Sequence, residues 1–234
     1  HRVDRRQRQM CIRDRYQELS EAETGTSVGL RPLKMLLCGH QRSLVVSIGV
    51  ASLNAVGFYL VLTYLPTYLS NELGFNSRES FLSVNISLLF YLLAIFAMGW
   101  LSDRIGRKRM LVAASVGFVL FSVPLFMVMG TGQLWKACLA EGALCLFLTA
   151  NDGTMASYLA ESFPTELRYT GFAVSQNLAN AVFGGTASAV CTWVIGVSGS
   201  RLAPAWYLAA VSLLSLCAMV ASHEHTGRDL SEVA

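Results

Sequence analysis

Five long runs without any charged residue constrain this chain more than any other feature of its sequence. A helix needs roughly 20 mostly apolar residues to cross the hydrocarbon core of a bilayer. Each of the five runs is longer than that. The sequence therefore predicts an all-α integral membrane protein. The runs cover residues 43–71, 80–102, 110–135, 169–200 and 202–222.

A sixth apolar run, 137–163, lies between the third and fourth of these but contains Glu141, Asp152 and Glu161. The connections between the runs are too short for a soluble domain. Residues 43–222 are therefore predicted to form a six-helix transmembrane bundle. The composition agrees, because only 14% of the residues are charged, whereas a soluble domain carries about 25%.

The first fifteen residues differ in composition from the rest of the chain. They contain six arginines and two aspartates and show no apolar periodicity. We interpret residues 1–15 as a non-native segment translated from a sequencing adapter; the alternative is a genuine basic arm for anionic lipid or nucleic acid. This segment contributes +4 to the net charge of +3, so the remaining residues carry −1 and predict no nucleic-acid partner.

Lysine and arginine residues are distributed unequally between the two sides of the predicted bundle. Arg31, Lys34 and Arg42 precede the first span and four basic residues follow the second, whereas the opposite loops have one each. Since basic loops stay in the cytoplasm, both termini are predicted to be cytoplasmic. Residues 16–42 then form a cytoplasmic linker, and residues 223–234 form a short cytoplasmic tail.

The loop after the second span has the pattern G-x-x-x-D-R-x-G-R-K-R. This pattern, between two apolar runs, resembles the loop signature of the major facilitator superfamily. The resemblance implies a conformational latch whose contacts form in one state and break in another; the alternative is that the charges only set the topology. The residues of the pattern are Gly99, Asp103, Arg104, Gly106, Arg107, Lys108 and Arg109.

A second pattern joins the fourth and fifth spans of the predicted bundle. The stretch from Glu161 through Pro164 and Arg168 to Gly171 resembles the junction between the tenth and eleventh helices of sugar and metabolite porters. It implies a cytoplasmic gate at Glu161, Pro164 and Arg168, with a surface ion pair as the alternative. The run from Phe58 to Leu69 is similar to the seventh helix of the metabolite:proton symporter family, in its proline/betaine transporter-like branch.

These resemblances imply that the six spans are the C-terminal half of a twelve-helix major facilitator fold. The partners of such a chain are the lipid bilayer, a missing N-terminal six-helix half, protons and a small organic solute. The implied function is secondary active transport by alternating access with proton symport in the bacterial inner membrane. The implied solute is a zwitterionic osmolyte such as proline or betaine, or an organic acid.

Two carboxylic acids inside the sixth apolar run are candidates for proton coupling. A carboxylate at membrane depth is costly, so such residues are rare and face a cavity or a partner. Glu141 lies eleven residues before Asp152, about three helical turns, so both share one helix face roughly 16 Å apart. The alternative is that Glu141 lies at the outer interface and Asp152 bonds to a neighbouring helix.

Amide and aromatic side chains inside the spans are candidates for solute binding. Asn54, Tyr64 and Tyr68 lie on one face of the first span, where they could enclose an ammonium group by cation–π contacts and hydrogen bonds. Tyr68 is equally explained as an aromatic residue at the membrane interface. For the others, hydrogen bonding between helices is the alternative. The predicted solute-binding residues are Asn54, Tyr64, Gln176, Asn177 and Asn180.

The sequence contains no pattern of a cofactor site, a metal site or a nucleophile with its base. We therefore expect no cofactor, no metal and no enzymatic activity. Two other functions stay open at this point: a receptor or structural subunit that does not transport, and a membrane-embedded enzyme that uses Asp152 as an acid. The enzyme lacks any paired catalytic group at a suitable spacing.

Overall fold

A computed structural model describes residues 31–222, and within that range the chain forms helices joined by short turns. The predicted all-α class is therefore confirmed for the described part of the chain. Residues 1–15 and 223–234 lie outside it, while the predicted linker contains the short helix α1. The helices are α1 (Arg31–Gly39), α2 (Gln41–Asn71), α3 (Ser77–Ile105), α4 (Arg107–Met129), α5 (Leu134–Glu161), α6 (Arg168–Ser198) and α7 (Ala203–Ala221).

Five of these helices are long and apolar enough to cross a membrane: α2, α3, α4, α6 and α7. They correspond to the five charge-free runs of the sequence. Helix α5 has 28 residues, but Glu141 and Asp152 lower its apolar character. The five spans are thus confirmed, while α5 as a sixth span stays a prediction.

The third predicted span is shorter in the structure than the charge-free run. Helix α4 ends at Met129, and a turn separates it from α5. Gly132 in this turn has a φ of +75°, a conformation that L side chains rarely adopt. The absence of charge therefore did not mark the end of this helix.

The helices of the bundle differ in how much of their surface is covered. Helix α5 packs mainly against α3 and α4, whereas α2 packs against α6 and α7. In the most apolar stretch of α2, 61% of the residues are buried, but only 17% are buried in α3 and in α6. Helices α3 and α6 thus carry large uncovered faces.

Two membrane helices widen into π-helical turns near their middle. These turns are Phe58–Tyr64 in α2, a turn that ends two residues before Pro66, and Asn180–Gly184 in α6. They lie against each other, and a Cβ atom at Gly184 would come within 2.7 Å of the Tyr59 ring. Gly184 is therefore needed for the close approach of α2 and α6.

A second close approach joins α3 and α5. A Cβ atom at Gly153 would lie 3.0 Å from the backbone nitrogen of Gly99 and 3.1 Å from the carbonyl oxygen of Ile95. Because backbone atoms cannot rotate away, this crossing requires glycine at position 153. Small residues allow such contacts between membrane helices.

Candidate functional site

Four polar side chains from four helices form one hydrogen-bonded row, which we call the polar chain. Tyr91 of α3 donates its hydroxyl proton to Asp152 Oδ2 of α5 over 2.5 Å. Asn54 Nδ2 of α2 donates to Asp152 Oδ1. Gln176 Nε2 of α6 donates to Asn54 Oδ1 over 2.9 Å. The structure thus brings together three of the predicted site residues, Asp152, Asn54 and Gln176, and adds Tyr91.

All four side chains of the polar chain are partly exposed. They lie where the weakly covered helices α3 and α6 meet the central helices α2 and α5. The Gln176 Oε1 atom is buried and has no hydrogen-bond partner among the described residues. The polar chain therefore combines a carboxyl group with an amide oxygen whose hydrogen-bonding capacity is unused among the described residues.

Glu141, the second predicted proton-coupling residue, has a different environment. Its side chain is 0% exposed, and its Oε2 atom accepts a hydrogen bond of 2.6 Å from the Ser83 hydroxyl of α3. Ser87 also interacts with this carboxyl group, but Oε1 has no hydrogen bond of good geometry. Glu141 is thus buried between helices, while its depth in the membrane stays a prediction.

The predicted face of Asn54, Tyr64 and Tyr68 is divided in the structure. Tyr64 belongs to a separate groove, where its hydroxyl lies 3.3 Å from the Thr192 hydroxyl. This groove has a volume of about 660 Å³ and lies between α2 and α6. The Tyr68 hydroxyl donates to the Arg201 carbonyl over 2.7 Å, so this residue ties α2 to the turn before α7.

The other two predicted amides do not join the polar chain. Asn177 is exposed, Asn180 is partly exposed, and neither makes a side-chain hydrogen bond within residues 31–222. Asn180 begins the π-helical turn of α6.

The basic loop between α3 and α4 contacts two other helix ends. Arg107 forms an ion pair with Glu161 at the end of α5 and lies 3.5 Å from Asp103. Lys108 Nζ donates to the Ser222 carbonyl after α7 over 2.6 Å. The loop therefore joins α3, α4, α5 and α7 at one end of the bundle.

The remaining latch residues have local roles in the structure. Gly106 ends α3 with a φ of +105°. The Arg104 guanidinium lies 3.8 Å from the centre of the Trp100 ring. Gly99 lies at the crossing of α3 and α5, and Arg109 is exposed. The pattern thus combines one inter-helix ion pair with residues that shape the turn.

The residues of the predicted cytoplasmic gate lie in two separate places, the basic loop contact and the turn before α6. Glu161 pairs with Arg107 of the basic loop. Arg168 instead lies 3.4 Å from the Thr165 hydroxyl in its own turn, and its Nε atom has no partner among the described residues. The carbonyl of Pro164 accepts a hydrogen bond from the Leu167 nitrogen, which shapes that turn.

Sequence reasoning missed Tyr91, Ser83 and Thr192. A usable signal was present for two of them, because Ser83, Ser87 and Tyr91 recur every four residues within an apolar run. Within residues 31–222 the structure contains no group of three His, Cys, Asp or Glu residues that could hold a metal ion.

The chain is similar in sequence to known transporters. A family model described as sugar (and other) transporter matches residues 2–234. A glycine betaine/proline/ectoine/pipecolic acid transporter of Dickeya dadantii is 33% identical over 177 residues, which are 76% of this chain and 35% of that protein.

Two further relatives align with more of the chain. The proline/betaine transporters of Escherichia coli K12 and Salmonella typhimurium are 29% and 27% identical over 219 residues, which are 92% of this chain and 44% of each relative. The chain thus spans less than half the length of these curated relatives.

Proposed function

Because the chain belongs to the sugar (and other) transporter family of the major facilitator superfamily, we propose that it forms the C-terminal half of a proton-coupled secondary transporter. Its relatives are more than twice as long as the aligned region. A missing N-terminal half of six helices would cover the exposed faces of α3 and α6. Helix α5, the fourth long helix along the chain, completes the set of six spans in this half.

The polar chain is the observation that carries this proposal. Hydrogen-bonded polar groups inside a membrane bundle are expensive to bury, and they mark solute or ion pathways. Here four helices each contribute one group, and all four groups remain partly exposed. A movement that separates α2 and α6 from α3 and α5 would break the chain at the hydrogen bond between Asn54 and Asp152.

Asp152 gives the polar chain a way to bind a proton and a solute together. An ionised Asp152 is only an acceptor and repels the carboxylate of an amino-acid-like solute. A protonated Asp152 donates a hydrogen bond to that carboxylate, and the amide groups of Asn54 and Gln176 add further donors. Binding of the solute therefore favours binding of the proton, which is the coupling that symport requires.

The proposed solute is a small zwitterion such as proline or betaine, with an organic acid as the second class. None of the six apolar runs contains a lysine or arginine, so the spans of this half hold no fixed cation for a solute carboxylate. The ammonium group would lie against aromatic rings and amide oxygens. Proline and glycine betaine stand in the names of the relatives and are suitable probes.

Alternating access requires contacts that differ between two states of the carrier. The ion pair of Arg107 with Glu161 and the bond from Lys108 to Ser222 hold the basic loop in place in this structure. We assign these contacts to the latch, on the cytoplasmic side together with both termini. Release of the latch would let the ends of α4, α5 and α7 separate.

Uptake measured with the complete reading frame that contains this chain tests the proposal. In proteoliposomes with an imposed proton gradient, we expect accumulation of labelled proline or glycine betaine, and a protonophore should abolish it. Asp152→Asn imitates the protonated acid, so it should keep solute counterflow but lose gradient-driven accumulation by about tenfold or more. Glu166→Gln, at an exposed site, is the matched control.

Two results would contradict the proposal. Accumulation of the solute that persists after the proton gradient collapses would exclude proton symport. A protein that folds and inserts but moves none of the zwitterionic or organic-acid probes would favour a receptor or structural subunit on the same fold.

A further inference from the structure

The buried surface of α3 consists almost entirely of hydroxyl groups. Its buried residues are Ser80, Ser83, Val84, Ser87 and Ser102, while most of its large apolar side chains are exposed. Ser83, Ser87 and Tyr91 follow at intervals of four, so they lie along one stripe of the helix. This stripe faces α5.

Helix α5 presents titratable groups to the same stripe. Ser83 donates to Glu141 and accepts a 3.3 Å hydrogen bond from the Cys138 thiol, and Tyr91 donates to Asp152. Cys145 is buried and lies between the two acids in sequence. We call this contact of α3 and α5, from Ser83 and Glu141 to Tyr91 and Asp152, the hydroxyl seam.

Glu141 is an incompletely satisfied group at one end of the hydroxyl seam. It is completely buried, yet its Oε1 atom has no hydrogen-bond partner within the described residues. The side chains that interact with it are Ser83 and Ser87, and neither carries a fixed charge. A carboxyl group without a counter-charge in such a place holds a proton at rest.

We propose that the hydroxyl seam is a proton relay that carries protons from Glu141 to Asp152, an inference that rests on the proposed proton symport. Glu141 releases its carboxyl proton to the Ser87 hydroxyl, which passes its own proton on. Tyr91 then receives a proton and gives its hydroxyl proton to Asp152. Glu141 is left as a carboxylate and regains a proton from the solution, while Asp152 becomes neutral.

One step of this relay needs a water molecule. Ser87 and Tyr91 are one helical turn apart, about 5.4 Å along the axis, which is too far for a direct hydrogen bond. A single water can span that distance when polar groups hold it at both ends. The Ser87 and Tyr91 hydroxyls themselves would have to hold this water, because the groove of about 830 Å³ beside Ser87 is lined mainly by apolar side chains.

The relay and the solute site make separable contributions to transport. Solute counterflow exchanges one solute for another and needs no net proton movement, whereas uphill accumulation needs a proton in every cycle. We expect Glu141→Gln and Ser87→Ala to lower gradient-driven uptake about tenfold. Counterflow should stay within about twofold of the unmodified carrier, because the residues that would bind the solute are unchanged.

Two control variants make the experiment specific to the hydroxyl seam. Ser80→Ala removes a buried hydroxyl from the same helix that bonds only to the Asn76 carbonyl, so both assays should match the unmodified carrier. Ser87→Thr keeps a hydroxyl and should restore gradient-driven uptake. The unmodified carrier must show coupled uptake in the same vesicles.

The relay is overturned if both variants keep full gradient-driven uptake, because Asp152 then receives its proton by another route. It is also overturned if uptake and counterflow fall together, since the seam then only supports packing. In both cases the coupled uptake of the unmodified carrier still stands. If the unmodified carrier shows no coupled uptake, that result would instead contradict the proposed symport itself.

Discussion

Asp152 and Glu141 are both acids on α5, eleven residues apart, but their surroundings differ in accessibility and in partners. Asp152 is partly exposed and accepts hydrogen bonds from two helices through Asn54 and Tyr91. Glu141 is fully buried, has one good donor in Ser83 and keeps one oxygen without a hydrogen bond. Asp152 therefore belongs to a polar site that several helices share, whereas Glu141 lies wholly inside the contact of α3 and α5.

This difference in exposure and partners shows that the position of an acid along a membrane helix does not by itself define its role. Both groups face α3, but only Asp152 also faces α2, because Asn54 lies at that level of the bundle. Contact with α2 as well as α3 makes Asp152 part of a site that several helices share. Glu141 stays within the contact of two helices.

The largest effect is expected where α3 and α5 cross beside Asp152. Gly153→Val would force a side chain against the backbone of Gly99 and Ile95, separate the two helices and disturb both acids. We expect the free energy of unfolding to fall by about 3 kcal/mol. Unfolding in detergent measures this, and Gly142→Val on the same helix, with open space around it, is the control. Equal losses in the two variants would contradict a tight crossing.

A smaller effect is expected from removing the donor of Glu141. Ser83→Ala leaves a fully buried carboxyl group without a good hydrogen bond and should lower the free energy of unfolding by about 2 kcal/mol. Ser80→Ala is the matched control, because the Asn76 carbonyl still accepts a hydrogen bond from the Ser80 nitrogen. An unchanged stability of Ser83→Ala would mean that Glu141 finds another partner.

The smallest effect on stability is expected at the other acid. Tyr91→Phe removes one donor of Asp152 but leaves Asn54 in place, and the carboxyl group is partly exposed. The free energy of unfolding should fall by less than about 1 kcal/mol. The same unfolding measurement checks it, and a larger loss than for Ser83→Ala would reverse the comparison between the two acids.

The sequence predicted five of the membrane helices and the family correctly, because both depend on features that a linear pattern contains. Charge-free length determines where a chain can cross a bilayer, and the basic loop pattern agrees with the family match. The placement of Asn54, Gln176 and Asp152 in one site depends on how each helix is rotated. Polarity inside apolar runs indicated these residues but not their partners.

Other parts of the site could not be predicted, for physical reasons. Tyr91 looks like one more aromatic residue in a span until its hydroxyl is placed opposite Asp152. Tyr64 was assigned to the face of Asn54 by assuming a regular helix of 3.6 residues per turn. The π-helical turn Phe58–Tyr64 changes that rotation, and Tyr64 bonds to Thr192 instead.

The paired π-helical turns divide α2 and α6 into two parts whose orientations are set separately. Asn54 and Gln176 precede the wide turns, whereas the Tyr64–Thr192 groove is built from residues at and after them. Deleting one residue inside either turn would restore ordinary winding, shorten the helix locally and leave the downstream side chains close to their present faces. Such a deletion would remodel the groove and leave the upstream amides in register, so this fold can vary one end of its pathway independently of the other.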